Sequence, residues 1–264
     1  MTRLTPFHAR TSALNQGHRW EDWEGFLAAR MYGLDHLSEY NAIRLGCGLL
    51  DVSPLHKYDV RGSDAQALLQ RLVVRDIAKS RPGRVFYTTW CNDDGMVIDD
   101  GTVFHVAENH LRLASTLPGL DWLEDNALGF DVTIDDVSEE LVGVALQGPT
   151  SRELLQKLTS SDLGNLKFFE CIHAQVRGAP TLISRTGYTG DLGFEIFVRP
   201  EDAEKIWDSA MELALDYKLR PCGLIALDMA RIEGGLLQIN AEFISAKQTL
   251  FDVQKISPLE LGLK

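Results

Sequence analysis

The chain has 264 residues, of which 45% are hydrophobic and 24% are charged. This composition is typical of a globular protein and excludes disorder, and at this length a chain makes one large or two modest domains. The 26 basic and 38 acidic side chains give a net charge of −12. We therefore expect no nucleic-acid partner, because phosphate binding needs a clustered positive face.

The four cysteines are widely spaced and form no CxxC pair, which favours reduced, mostly buried thiols and predicts no metal site. Residues 1–20 contain no apolar core of the kind that a secretory signal needs. No apolar run approaches the roughly 20 residues of a membrane helix. These patterns predict a cytoplasmic enzyme or binding protein with no membrane partner.

The first half of the chain predicts two helices followed by an antiparallel meander. Residues 1–34 are aromatic-rich without clear periodicity and predict an irregular lead-in. A helix is predicted at 35–45, and Ser63 is placed as the cap of a second helix with an apolar stripe from Ala65 to Leu72. Short β segments bounded by turn residues are predicted at 49–52, 57–61, 85–90, 96–100, 102–106, 111–115 and 132–134, with a short helix within 118–126.

From Leu141 onward, strands and helices alternate again. The predicted elements are a strand at 141–147, a helix at 150–158, hairpin strands at 174–176 and 181–185, a strand at 194–198, a helix opened by Pro200 and a last helix at 223–233. We therefore predict an α+β body formed by 1–50 plus 141–256. An antiparallel β subdomain at 51–140 interrupts this body.

Asp99 and Asp100 close the strand predicted at 96–100. Because successive side chains of a strand point to opposite faces, Asp100 is expected to share the face of Ile98. If that face is apolar, desolvation raises the pKa of the Asp100 carboxyl. The group is then a candidate proton donor or acceptor, or a partner for a ligand amine. The alternative is that Asp-Asp-Gly simply forms a turn.

Glu195 is the only charge in the apolar strand predicted at 194–198. A buried glutamate needs a partner. Its carboxylate can accept two parallel N–H bonds from a planar group such as the edge of a pterin ring. The alternative is an ion pair with the nearby Arg185 or Arg231.

Two tyrosines have both a ligand-binding and a structural interpretation. Tyr188 lies between glycines in the loop 186–190, where its ring can stack on a flat ligand or can simply lie on a surface turn. Tyr87 lies in the meander, where burial habits favour a core residue over a ligand platform.

Read in order, six stretches of the chain resemble the glycine cleavage T-protein family of tetrahydrofolate-dependent aminomethyltransferases and demethylases. The stretches are 48–53, 92–100, 147–149, 184–190, 193–195 and 231–233. The resemblance implies a cloverleaf of three domains around a folate channel. It also implies that a small methylated or aminomethyl donor passes a one-carbon unit to tetrahydrofolate.

The resemblance assigns roles to individual residues. Asp100 matches the catalytic aspartate of the family, and Glu195 matches the glutamate that binds the pterin edge. The remaining residues assigned to folate binding are Tyr87 and Tyr188, which resemble channel tyrosines, Ser115, which stands where the glycine-cleavage members carry an asparagine, and Arg231.

One departure affects the expected reaction. The glycine-cleavage members have an arginine just before the aspartate corresponding to Asp228, and this chain has Leu227, which cannot replace the donors of a guanidinium group. We therefore favour a relative that uses a small N- or O-methylated donor over the T-protein proper, which uses a lipoylated carrier protein.

Three alternatives stay open. They are the T-protein proper, a demethylase that is active only with an oxidase partner, and a non-catalytic folate-binding or scaffold relative. Scaffold relatives carry a Lys-Gly-Cys signature near the position of Gly234-Gly235, and this chain has no cysteine there. The third, barrel-like domain of the family would begin at 257–264, so we expect either a fragment or a partner chain that completes the site.

Overall fold

A computed structural model describes residues 2–263, which divide into two compact units. The first unit combines residues 2–54 with 139–236, and the second combines 55–138 with 237–263. Within the described chain, no helix combines the length and the apolar character needed to cross a membrane.

The helices are α1 (His8–Leu14), α2 (His36–Leu45), α3 (Ala65–Leu72), α4 (Leu120–Asn126), α5 (Ser151–Leu158), α6 (Ala203–Met211), α7 (Ala214–Tyr217) and α8 (Leu224–Glu233). The strands are β1 (Arg19–Trp23), β2 (Phe26–Met31), β3 (Cys47–Asp51), β4 (His56–Arg61), β5 (Val85–Cys91), β6 (Val97–Ala107), β7 (His110–Ser115), β8 (Thr133–Asp136), β9 (Val142–Gln147), β10 (Cys171–Val176), β11 (Ala179–Ser184), β12 (Gly193–Val198) and β13 (Leu219–Pro221).

The first unit is built on a six-stranded mixed sheet in the order β10-β11-β12-β9-β3-β13. β9 is buried along its whole length, as expected for a central strand with an almost continuous apolar run. α5 and α6 pack on this sheet through an apolar core that includes Leu154, Phe194 and Trp207. The strand order places β12 between β11 and β9, which positions the residues of the candidate site described below.

Residues 1–34 do not form the predicted irregular lead-in, because α1 and the hairpin of β1 and β2 lie there. The hairpin escaped sequence analysis because β1 is largely exposed on both faces and its residues show no apolar alternation. The helix predicted at 35–45 is present as α2. Both carboxylate oxygens of Asp35 cap it by accepting hydrogen bonds from backbone N–H groups.

The second unit contains a five-stranded antiparallel sheet in the order β5-β6-β7-β4-β8, with α3 and α4 packed on its apolar face. α3 buries the predicted stripe, but Asp64 and not Ser63 precedes its first residue. The Ser63 hydroxyl instead donates a hydrogen bond of 2.8 Å to Asp131.

The two strands predicted at 96–100 and 102–106 form one strand, β6. Gly101, interpreted as a turn residue, lies within the ladder, where a Cβ atom would lie 2.0 Å from the carbonyl oxygen of Ala114. The glycine is therefore required by close backbone approach and not by a turn.

The structure corrects the predicted boundary at the C-terminal end of the body. Residues 237–256 were assigned to the α+β body, but they belong to the second unit together with 257–263. Ile239 and Phe243 form a small buried apolar cluster with Val97 of β6. Because this segment has little regular secondary structure, no local sequence pattern indicates which unit it packs against.

Candidate functional site

The Asp100 carboxyl is buried on β6, with 8% of the residue exposed. Its Oδ2 atom accepts a hydrogen bond of 2.7 Å from the Tyr87 hydroxyl of β5. Tyr87 pairs with Thr102 and Thr89 pairs with Asp100, so Tyr87 and Asp100 are diagonal neighbours on one face of the sheet. Burial raises the pKa of Asp100 to about 6, and the hydrogen bond from Tyr87 acts in the opposite direction. This carboxyl can therefore hold or release a proton near neutral pH.

A β-bulge sets the face on which Asp100 lies. Cys91 pairs with Val97 and Trp90 pairs with Asp99, so Ile98 is an extra residue in β6. Ile98 packs with Trp90 in the apolar core of the second unit, whereas Asp100 stands opposite Thr89. Because Thr89 and Trp90 are successive residues that point to opposite faces, Asp100 does not share the face of Ile98, and that prediction is wrong.

Asp99 has a different role from its neighbour, although it is also buried. Its Oδ1 atom accepts a hydrogen bond of 2.9 Å from the backbone N–H of Asp100, and its Oδ2 atom accepts one of 3.0 Å from Leu117. The Asp-Asp-Gly sequence does not form a turn, because β6 runs through all three residues. Asp99 thus fixes local backbone, and Asp100 carries the perturbed carboxyl.

Ser115 is buried at the end of β7, opposite His56 on one side and Gly101 on the other. Its hydroxyl donates a hydrogen bond of 3.0 Å to the carbonyl oxygen of Leu117. The structure therefore places Ser115 next to the strand segment of Asp100, with its hydroxyl proton used within the chain.

The Glu195 carboxylate is half-buried on β12, and its Oε2 atom accepts a hydrogen bond from the Thr186 hydroxyl. Burial raises the pKa of Glu195, and the Thr186 hydrogen bond acts against that shift. In the described part of the chain, the contact of this carboxylate is a hydroxyl and not a guanidinium group. The ion pair with Arg185 or Arg231, which was the alternative from the sequence, therefore does not form.

The two arginines considered as partners of Glu195 are directed elsewhere. Arg231 is buried, and its guanidinium donates hydrogen bonds of 2.8 Å to Asp228 and 3.2 Å to the carbonyl oxygen of Leu236. Arg185 donates one of 3.2 Å to the carbonyl oxygen of Leu166. These contacts stabilise the end of α8 and the loop before β10, respectively.

The Gln147 side chain of β9 contacts the loop that carries Tyr188. Gln147 is buried, with 1% of the residue exposed. The Gln147 amide donates a hydrogen bond of 3.3 Å to the Thr186 carbonyl oxygen and accepts one of 3.0 Å from the Thr189 hydroxyl. Gly187 and Gly193 make room for it, because a Cβ atom on either would lie 2.0 to 2.1 Å from Gln147 Oε1. Gly187 and Gly193 of the matched stretches are therefore explained by packing against Gln147.

Arg44 of α2 also binds this loop. Its guanidinium donates hydrogen bonds of 2.6 Å to the Thr189 carbonyl oxygen and 2.8 Å to Asp191. It also binds the end of α8, at 2.9 Å from the Ala230 carbonyl oxygen and 2.7 Å from Glu233. Sequence analysis missed Arg44, since no local pattern links it to a loop 145 residues away.

The structure therefore joins the predicted residues into two groups. In the second unit it brings Asp100 and Tyr87 into contact, with Ser115 on the adjacent strand. In the first unit it brings Glu195 next to the loop of Tyr188 and directs Arg231 to other partners. Thr186 and Gln147 lie in stretches that the sequence singled out, but no role was predicted for either.

The fold and the residues of these two groups define a member of the T-protein class. The chain belongs to the family described as the GCVT N-terminal domain, whose model matches residues 8–263. The Anoxybacillus flavithermus aminomethyltransferase is 37% identical over 230 residues, which cover 85% of this chain and 60% of that protein. The Ruegeria pomeroyi trimethylamine-oxide aldolase is 36% identical over 255 residues, 92% of this chain and 32% of that protein.

Solved structures share the fold. The glycine cleavage system aminomethyltransferase T from Bartonella henselae matches with a TM-score of 0.81 at 24% identity, covering 91% of this chain and 64% of that chain. A chain of the heterotetrameric sarcosine oxidase from Corynebacterium sp. U-96 matches with a TM-score of 0.57 at 17% identity, covering 84% of this chain and 99% of that chain. The predicted α+β, T-protein-like fold is confirmed. The chain spans about 60% of the length of the aminomethyltransferases that it matches.

Proposed function

We propose that this protein is a tetrahydrofolate-dependent transferase that takes a methyl or methylene group from a small N- or O-methylated donor. Transfer of a methylene group requires a donor that carries two oxidising equivalents, such as an N-oxide, whose oxygen leaves as water. The observation that carries the proposal is the Glu195 carboxylate, which is the only charge of β12 and which contacts a neutral hydroxyl. Its remaining lone pairs suit the planar N–H edge of a pterin, which donates two parallel hydrogen bonds.

The residues present fit this cofactor in two respects. Glu195 would accept the N–H bonds of the pterin edge. Tyr188 would contact the folate ring, and its loop is fixed for this task by Gln147 and Arg44. Tyr87 is proposed as a further folate-binding residue. Bound tetrahydrofolate would supply the ring nitrogen that receives the one-carbon unit. Ser115 and Arg231 stay in the proposal as residues that shape the binding surface.

The role proposed for Asp100 is to orient the reacting amine or to exchange a proton with it. A carboxyl with a pKa of about 6 is present in both protonation states near neutral pH. The Tyr87 hydroxyl, 2.7 Å from Oδ2, fixes the orientation of the carboxyl.

A small N-methylated donor is supported by two features. The Ruegeria pomeroyi relative is named for trimethylamine oxide, which carries N-methyl groups. Leu227 lines a small cleft whose lining also includes Leu224, Tyr32 and Asp51, so an apolar side chain stands at this position in place of a guanidinium group. Aminomethyl transfer is the second candidate, because aminomethyltransferases are 37% identical over 85% of the chain.

Calorimetric titration with tetrahydrofolate, combined with a transfer assay on trimethylamine N-oxide and N,N-dimethylglycine, tests the proposal. Glu195→Gln should weaken tetrahydrofolate binding about 10- to 100-fold, the effect expected for hydrogen bonds to a charged group. Asp100→Asn should abolish transfer and change tetrahydrofolate affinity less than about threefold. Unchanged binding by Glu195→Gln would exclude the pterin role, and unchanged transfer by Asp100→Asn would exclude the catalytic role.

A protein partner belongs to the same proposal. Leu250, Phe251 and Val253 are 83%, 68% and 91% exposed on one turn of the second unit. Contiguous exposed apolar side chains of this kind mark interaction surfaces. Light scattering on the protein purified from its own cells should show an assembly larger than 29.4 kDa that Phe251→Ser together with Val253→Ser dissociates. A monomer would contradict a stable partner.

A further inference from the structure

We propose that Ser184 and Thr186 form a positioning pair that aims the Glu195 carboxylate at a planar N–H edge, in place of the arginine that usually partners a buried glutamate. The proposal rests on the folate-binding function above and names the residues that make Glu195 specific. The ligand class is a pterin or another ring with a 2-amino group beside a ring N–H.

The hydrogen-bond chain has a defined direction. The Ser184 and Thr186 hydroxyl oxygens lie 2.6 Å apart, and the Thr186 hydroxyl contacts Glu195 Oε2. An ionised carboxylate only accepts, and a threonine hydroxyl has a single proton. Thr186 therefore donates to Glu195, and Ser184 must donate to Thr186. Both hydroxyl protons point toward the carboxylate.

The β ladder brings these groups together. Ser184 stands directly opposite Glu195 in the pairing of β11 with β12, so the two side chains share one face of the sheet. Thr186 follows two residues after Ser184, where the chain leaves β11. Ser184 is fully buried and Thr186 is 4% exposed, so water does not compete for their hydroxyl groups.

Thr186 is itself held in place. The Gln147 amide donates to its carbonyl oxygen and accepts from the Thr189 hydroxyl, so only one orientation of the amide satisfies both contacts. The Gln147 side chain has no space to move, because the backbones of Gly187 and Gly193 lie against it. A hydroxyl donor on a fixed backbone restrains the carboxylate rotamer before the ligand arrives.

The identity of the donor also matters for the strength of binding. An arginine beside Glu195 would neutralise its charge and would use both oxygens in a bidentate contact. A threonine hydroxyl uses one lone pair of Oε2 and brings no charge. Glu195 therefore keeps Oε1 and its negative charge available for the ligand, whose N–H groups then make charge-assisted hydrogen bonds. The same hydroxyl opposes the rise that burial causes in the pKa of Glu195.

The test measures the preference of the protein for tetrahydrofolate over its 2-desamino-2-methyl analogue, which lacks the amino group, by competition calorimetry. Thr186→Val should reduce this preference about tenfold, and Thr186→Ser should restore it to within about twofold. Ser184→Ala should have a smaller effect of about threefold. Thr181→Val is the matched control, since it removes a buried hydroxyl of β11 that binds the Ala174 carbonyl oxygen and lies in no contact with Glu195.

Three outcomes overturn the inference. A Thr186→Val protein that keeps the full preference shows that the hydroxyl does not aim Glu195. A Thr186→Val protein that loses affinity equally for both ligands shows a purely structural role. If Thr186→Val fails to fold, Ser184→Ala carries the test, and an unchanged preference in Ser184→Ala overturns the inference. If the proposed function itself is wrong, the experiment gives a different result, because the wild-type protein would then not bind tetrahydrofolate at all.

Discussion

Asp100 shows how one carboxyl acquires a chemical property that its neighbour lacks. Asp99 and Asp100 are adjacent and both buried, but backbone N–H groups bind both oxygens of Asp99, whereas the described partner of the Asp100 side chain is the Tyr87 hydroxyl. Burial raises the pKa of Asp100 to about 6, and the hydrogen bond from the Tyr87 hydroxyl opposes only part of that rise. The bulge at Ile98 decides which of the two carboxyls faces Tyr87.

The raised pKa of Asp100 predicts a measurable cost in stability. Because the folded state binds the proton more tightly than the unfolded state, the free energy of unfolding should fall as the pH rises from about 4 to about 6 and should then level off. A pKa change of this size corresponds to about 3 kcal/mol. Urea unfolding between pH 4 and pH 7.5 should therefore show that Asp100→Asn becomes more stable than wild type by up to about 3 kcal/mol at the upper end.

Asp93→Asn, which removes one carboxyl at an exposed turn position, is the matched control for the change in charge. An Asp100→Asn difference that is constant over the same range would contradict a buried, largely neutral carboxyl in the folded protein.

Among the elements, the contact between β9 and β12 organises the first group of site residues. Gln147 at the end of β9 pairs with Gly193, the first residue of β12, two residues before Glu195. Its side chain binds both ends of the segment from Thr186 to Thr189. The backbone φ of Gly193 is not in the left-handed region, so the backbone conformation does not require glycine at this position. The Gln147 side chain requires it, because that side chain leaves no space for a Cβ atom.

This arrangement predicts that Gly193→Ala destabilises the protein through overpacking. A Cβ atom would lie 2.1 Å from Gln147 Oε1, and forced displacement of this kind costs about 1 to 3 kcal/mol. Urea unfolding measures the loss. Gly17→Ala is the control, because its Cβ atom would meet ordinary contacts of 3.5 Å or more.

A double variant tests whether the clash with Gln147 is the cause of the destabilisation. Gly193→Ala combined with Gln147→Ala should cost less than the sum of the two single changes, because the clash disappears with the amide. Strict additivity would show that the destabilisation comes from a source other than Gln147.

At the scale of the whole molecule, the chain makes two units, and each has its own apolar core. The second unit is assembled from segments that are distant in sequence. Residues 237–263 join it through the cluster of Val97, Ile239 and Phe243 and through two backbone hydrogen bonds of 2.8 Å, from Val97 N–H to Ile256 and from Ala246 N–H to Val97.

Phe243 is therefore predicted to anchor the C-terminal segment. Phe243→Ala should cost about 3 to 5 kcal/mol, the usual range for a buried phenylalanine, and should make residues 237–263 sensitive to protease under native conditions. Limited proteolysis with mass spectrometry measures the cleavage sites. Phe168→Ala, at a residue of the first unit that is 63% exposed, is the control and should leave the cleavage pattern unchanged. An intact segment in Phe243→Ala would show that the backbone contacts are sufficient.

Sequence analysis located most elements because their signals are local. The stripe of α3, the apolar run of β9 and the Asp35 cap of α2 each depend on residues within a few positions of one another. The hairpin of β1 and β2 was missed because its strands lack alternation, and Gly101 was taken for a turn because close backbone approach leaves no local trace.

The family, the α+β class and the candidates Asp100 and Glu195 follow from residues alone, because an isolated charge in an apolar strand and a set of ordered motifs can be recognised without coordinates. The groups that surround those two carboxyls follow from the folded arrangement of the chain. The contacts of Gln147 with Thr186 and of Arg44 with Thr189 join residues 39 and 145 positions apart. Such contacts arise from strand order and β-bulges, and the free energy that forms them comes from packing the whole unit, so no local pattern of residues records them.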